Sequence, residues 1–145
     1  MTQLSIREPE PGTPLRPTEI VCGLFDRLLA ALTAGREAVT AGDIERRFRE
    51  LKFAADIVED LASGLDPEAS DEWTVRMAAL YKSILARLLT ANIRNAAGPI
   101  EEAMLLAAPL CHAWHCLDAQ EVLHQNGIAA AVAAGRPAAA AVALN

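Results

Sequence analysis

The chain has 145 residues, the size of one ordinary domain and enough for one hydrophobic core. Apolar residues make up 52% of it but aromatics only 4%, so alanine and leucine, both good helix formers, carry the apolar content and strands are not expected. A formal charge of -6 without a basic face argues against binding nucleic acid, and no segment reaches the roughly 20 apolar residues of a membrane helix.

The first sixteen residues contain Pro9, Pro11 and Pro14 among acidic and polar neighbours, which predicts a flexible arm. They lack the basic start and apolar run of a secretory signal. Pro17 suits the first turn of a helix, and Glu19 suits its positive end. Ile20, Leu24, Leu28 and Leu32 form the stripe of helix 1, flanked by Val21, Phe25 and Leu29. The helix is expected to fade at Ala41 and Gly42.

Asp43 is the expected N-cap of helix 2. Ile44, Phe48, Leu51, Ala55, Val58 and Leu61 follow steps of four and three, the pattern of a bundle seam, and Gly64 closes the helix. Asp66 and Pro67 open a turn. Ser70 is the expected cap of helix 3, with Asp71 and Glu72 in its first turn. Trp73, Met77, Leu80, Ile84 and Leu88 form its stripe, and the segment from Asn95 to Gly98 ends it. Pro99 is expected to begin helix 4, whose stripe is Ile100, Met104, Ala107, Cys111 and Trp114. Pro109 interrupts that pattern and removes one helical hydrogen bond. Gln125, Asn126 and Gly127 read as a stop, followed by an alanine tract. Four amphipathic helices with short connections predict an all-α, antiparallel four-helix bundle over residues 17–124. The flexible N-terminal arm occupies residues 1–16 and an Ala-rich C-terminal tail residues 125–145.

Cys22, Cys111 and Cys116 form no disulfide framework, which fits a reduced cytoplasmic protein. Cys111, His112, His115 and Cys116 are the one cluster with metal-ligand chemistry. They cannot all surround one ion from a single straight helix, so buried thiols and surface histidines are the simpler reading, with no metal and no cofactor expected. No histidine is followed by the Lys-Gly context of a phosphotransfer bundle. No catalytic triad, carboxylate pair or glycine-rich phosphate loop stands in a convincing setting, so no enzymatic activity is expected. A self-associating helical scaffold, two copies pairing through surplus apolar surface, is an open alternative.

Several motifs in order resemble the FliS family of flagellin export chaperones. Leu24, Phe25, Asp26, Arg27, Leu28 and Leu29 resemble the family's Leu-Tyr-Asp run in helix 1. Residues 43–61 resemble its second helix. Leu65 with Asp66, Leu80 with Tyr81, and Trp114 fall at similar places, and Ala91, Asn92, Ile93, Arg94 and Asn95 are the closest match. The resemblance implies a four-helix bundle with a non-catalytic role in the bacterial cytosol. It would bind the C-terminal part of newly made flagellin, prevent early polymerisation and assist delivery to the export apparatus, with export gate components as further partners.

Residues 80–95 carry two apolar rows, Leu80, Ile84, Leu88 and Ala91 beside Leu85 and Leu89. That is more than one neighbour covers. Second-row residues are therefore the expected partner-binding groove: Phe25, Leu29, Ile57, Tyr81, Leu85 and Leu89. Taken singly, each also fits a wide core stripe. Asn92 is added as a polar contact for a partner's main chain or for a neighbouring loop. Asp26 is expected to pair with a neighbour such as Lys52 or to face water.

Overall fold

The computed structural model describes residue 12 and residues 14–135. The expected flexibility of residues 1–11 and 13, and the alanine tract beyond residue 135, lie outside the described residues. Among the described residues the chain forms four helices: α1 (Pro17–Ala41), α2 (Ile44–Ser63), α3 (Glu72–Arg94) and α4 (Ala97–Ala133). No strand occurs among the described residues.

Local chemistry sets most of the helix ends. Gly42 adopts φ 70°, and its N–H and that of Asp43 turn back onto the last carbonyls of α1. Asp43 then caps α2, its carboxylate accepting the Arg46 N–H at 3.0 Å. Asn95 closes α3 at φ 51°, a conformation asparagine tolerates better than most side chains. Two ends differ from expectation. Asp71 rather than Ser70 caps α3, because its carboxylate accepts both the N–H and the hydroxyl of Thr74. Helix α4 begins at Ala97, two residues before Pro99. Proline is tolerated there because the first N–H groups of a helix have no intrahelical acceptor.

Arg16 belongs to the bundle rather than to a loose arm. Its N–H and guanidinium engage Glu19, and Nη1 lies 2.8 Å from Asp118 Oδ1 on α4, an ion pair without hydrogen-bond alignment. Thr18 donates to the same Asp118 carboxylate at 2.8 Å. At the other end of α1, Gly35 faces Leu51 of α2 and Ile100 of α4. Early α1 thus meets late α4, and late α1 meets early α4, so the two run antiparallel. Arg46 with Glu37, and Arg87 with Glu102, show the same order for α1–α2 and α3–α4. Each helix packs on two neighbours, α1 and α3 both lying between α2 and α4. The fold is the expected antiparallel four-helix bundle.

The core lines are Phe25, Leu28 and Leu32 on α1; Leu51, Ala54, Val58 and Leu61 on α2; Met77, Tyr81, Ile84 and Leu88 on α3; and Ile100, Ala103, Ala107 and Cys111 on α4. Several stripe residues fall elsewhere. On α2, Ala54 replaces Ala55 in the core, and Ile44 and Phe48 are exposed by 61% and 58%. The reason is the helix's rotation. Arg47, only 8% exposed, occupies the inner line at that end and donates to Asn95 Oδ1. Ile20 and Trp73, in the first turns of α1 and α3, are exposed by 49% and 55%; Trp73 meets Trp114 edge-on at 6.5 Å. Met104 and Trp114 only flank the core of α4.

The expected stop at Gln125, Asn126 and Gly127 is absent, because α4 runs through it to Ala133. A glycine inside a helix costs only about 1 kcal/mol relative to alanine. The alanine-rich flanks carry the helix across it.

A candidate groove between α2 and α3

Helical periodicity puts Ile44, Phe48, Ala55 and Ala62 on one side of α2, at steps of four, seven and seven. Ala62 shows where this side points. With Leu65, Val75, Ala78 and Lys82 it lines a cleft of about 470 Å³ between α2 and α3. On α3 the side that opens to the cleft continues from Ala78 and Lys82 in single-turn steps to Leu85, Leu89, Asn92 and Ile93. The Arg47–Asn95 hydrogen bond sets the register at the far end. The start of α2 and the end of α3 therefore lie side by side, which brings Phe48 and Ile93 to the same end of the valley. Leu89 and Ile93 are exposed by 62% and 75%. The result is an open apolar valley with the cleft at one end and large side chains on both rims at the other.

The valley has a polar end. Arg47 is held under it by Asn95, yet its Nε has no hydrogen-bond partner among the described residues. Asn92 Oδ1 is likewise shielded and unpaired there. One is a donor and the other an acceptor, the two groups a polypeptide main chain requires. A buried polar group left unsatisfied costs about 1–3 kcal/mol, so a partner whose docking turns these shielded side chains toward it gains by completing them.

Of the seven residues the sequence singled out, Leu85, Leu89 and Asn92 share this valley. Phe25, Ile57 and Tyr81 do not stand in a second row. They are 0%, 4% and 3% exposed and belong to the core cluster. Each helix packs on two neighbours, so its buried arc is wide enough to absorb both rows. Burial also pushes the Tyr81 phenol up from its ordinary value. Leu29 is half-buried on α1, which does not approach α3, and so lies outside the valley. Phe48, Ile93 and Arg47 are the residues sequence reasoning missed. On α2 the line through Phe48 and the line through Arg47 both fit a helical stripe. The one available signal was an arginine at an inward step beside an exposed aromatic.

Asp26 pairs with neither Lys52 nor water alone. Lys52 reaches Asp56 at 3.3 Å within its own helix. Asp26 Oδ1 lies 2.8 Å from His115 Nε2 and accepts from the Cys111 thiol at 3.4 Å, joining α1 to α4. Burial, first, and the Asp26 carboxylate push the Cys111 thiol up to about 11. His112 and Cys116 form a separate exposed pair, 3.6 Å apart. Among the described residues no helix is long and apolar enough to cross a membrane.

A bundle that closes its own core yet leaves an apolar valley beside a donor and an acceptor has the form of a polypeptide-binding module. Comparison with known families agrees. The family model described as Flagellar protein FliS matches residues 13–121, and the chain belongs to this family. It is similar to the flagellar secretion chaperone FliS of Salmonella typhimurium, 34% identical over 99 residues that cover 68% of this chain and 73% of the relative. It is also similar to the flagellar secretion chaperone FliS of Escherichia coli, 34% identical over 97 residues covering 66% and 71%. The family is one of chaperones rather than enzymes.

Proposed function

We propose that this chain is a cytosolic export chaperone. It binds the C-terminal region of flagellin, prevents premature polymerisation and assists delivery to the flagellar export apparatus. Family membership supports the export role. The observation that carries the binding site is the α2–α3 valley, with Phe48, Leu85, Leu89 and Ile93 as its apolar contacts and Asn92 and Arg47 as its polar ones.

The physics suits a client that must be held and then released. A flagellin terminus is an amphipathic segment made to assemble with its own copies, and a valley of matching polarity covers its apolar stripe. Burying apolar area contributes roughly 25 cal/mol per Å² before ordering costs are subtracted. A client that folds on binding loses part of that gain, so a large contact remains releasable.

The test is light scattering of the full chain, alone and mixed with a flagellin C-terminal segment. A defined complex containing one copy of each is expected. A particle of two chaperone chains that ignores the segment contradicts the proposal and favours the self-associating scaffold. Leu105→Asp, on the outward side of α4 and 76% exposed, should leave the complex intact.

A further inference from the structure

We propose that Asp26, Cys111 and His115 form a binding site for one thiophilic divalent cation of the zinc type at the seam of α1 and α4. The site is independent of the valley and of the client it binds. No single helix could build it. Cys111 and His115 stand one turn apart on α4, and the third donor comes from α1. One thiol sulfur, one imidazole nitrogen and one carboxylate oxygen lie within 4.8 Å of one another, and no other group of three such donors occurs among the described residues.

Two of the three separations lie near those of a tetrahedral ion, and the third, from Cys111 to His115, is within 4.8 Å. Bonds of about 2.0–2.3 Å place neighbouring ligand atoms about 3.3–3.8 Å apart. The Cys111–Asp26 separation is already 3.4 Å, and the His115–Asp26 separation of 2.8 Å must open by about half an ångström. Core packing holds Cys111, which is 7% exposed, while Asp26 and His115 reach solvent. The ion therefore has a rigid sulfur donor, an entrance and a free fourth position for water. A thiolate beside an imidazole favours zinc or cobalt over magnesium or calcium.

Binding replaces two hydrogen bonds with three coordinate bonds. The Cys111 S–H bond breaks, its proton leaves to solvent, and the sulfur lone pair bonds the metal. His115 gives up the Nε2 proton that its hydrogen bond to Asp26 requires; the ring takes one from solvent at Nδ1, remains neutral and donates the Nε2 lone pair, while Asp26 donates a carboxylate oxygen. The two negative ligands balance the charge of the ion. The occupied site ties α1 to α4 and stabilises the bundle by mass action.

The experiment is titration of the full chain, reduced and free of any affinity tag, with cobalt(II) and then zinc. One cobalt per chain is expected, with visible bands of a four-coordinate ion and a near-ultraviolet sulfur-to-cobalt charge-transfer band that zinc abolishes. Cys111→Ser should remove the charge-transfer band. Asp26→Ala and His115→Ala should weaken binding at least tenfold. His112→Ala combined with Cys116→Ser should leave the titration unchanged. A chain that shows no charge-transfer band overturns the proposal, as does a band that survives Cys111→Ser or disappears with the His112 and Cys116 changes. Where circular dichroism shows that Cys111→Ser disturbs the core, the exposed Asp26→Ala variant decides: unchanged cobalt affinity rejects the site.

Discussion

Gly35 shows how closely single residues constrain this bundle. A Cβ at that position would stand 2.9 Å from Leu51 Cδ2 and 3.4 Å from Leu51 Cγ. Leu51 is fully buried and has nowhere to turn. Overpacking costs about 1–3 kcal/mol, against about 1 kcal/mol gained in helix propensity. Gly35→Ala should therefore lower stability by about 1 kcal/mol in urea denaturation. Gly23 is the contrasting case, with nothing within 4 Å of its missing Cβ. Gly23→Ala should raise stability by about 0.5–1 kcal/mol. Asp71 makes a pH-dependent contribution. The amide and then the hydroxyl of Thr74 hold its carboxyl below the ordinary value of 3.8. The folded state thus favours the ionised form, so the contribution is complete above that value and is lost as pH falls through the lower folded one. Asp71→Ala should lower stability at neutral pH and flatten its decline in acid, measured by thermal melting across the acid range. At this scale the caps were legible in the sequence, because Asp43, Gly42 and Asn95 act on adjacent backbone. Asp26 was not. Its partners are Cys111 and His115, distant in sequence and brought near only by the fold.

Among the elements, α2 and α4 depart most from the sequence reading, for different reasons. On α2 the inner and outer lines share the same spacing, and only contact with α1 and α3 selects between them. Ala54 shares the inner line with Arg47, Leu51, Val58 and Leu61, and the rotation that buries this line carries Phe48 outward. On α4 the misleading feature is punctuation. Gly127 reads as a stop, yet the helix continues through it, as it does through Pro109, where a bend is the expectation. Pro109 lacks the N–H that would bond the carbonyl one turn earlier, and its ring crowds that carbonyl. Because Pro109 is exposed, a replacement leaves the core unchanged. Pro109→Ala should stabilise the protein by about 1–3 kcal/mol, read from chemical denaturation, with a helical signal at least as strong as that of the parent. No change in stability would mean that neighbouring contacts already compensate the missing bond.

At the scale of the whole molecule, four helices were legible from periodicity and turn residues, and so was their antiparallel order from the short connections. The surplus of apolar surface was legible too, but its location was not. Phe25, Ile57 and Tyr81 went into the core, while Leu85 and Leu89 face a valley whose other wall is built by Phe48. A stripe in sequence does not say which of two neighbours it meets, and that choice decides which residues remain for a partner. The two rims carry different expectations. Leu89 is largely exposed, so a charge there should disturb binding more than folding, whereas Leu85 packs partly on the core and Leu85→Asp should also lower stability. The most direct measurement is calorimetric titration of a flagellin C-terminal segment into the full chain and into a Phe48→Asp, Leu89→Asp double variant. The parent should bind with a negative heat-capacity change, and the variant should bind at least tenfold more weakly, about 1.4 kcal/mol, with unchanged helicity. Equal affinity in parent and variant, or no binding by the parent, would contradict the assignment of the α2–α3 valley as the client site.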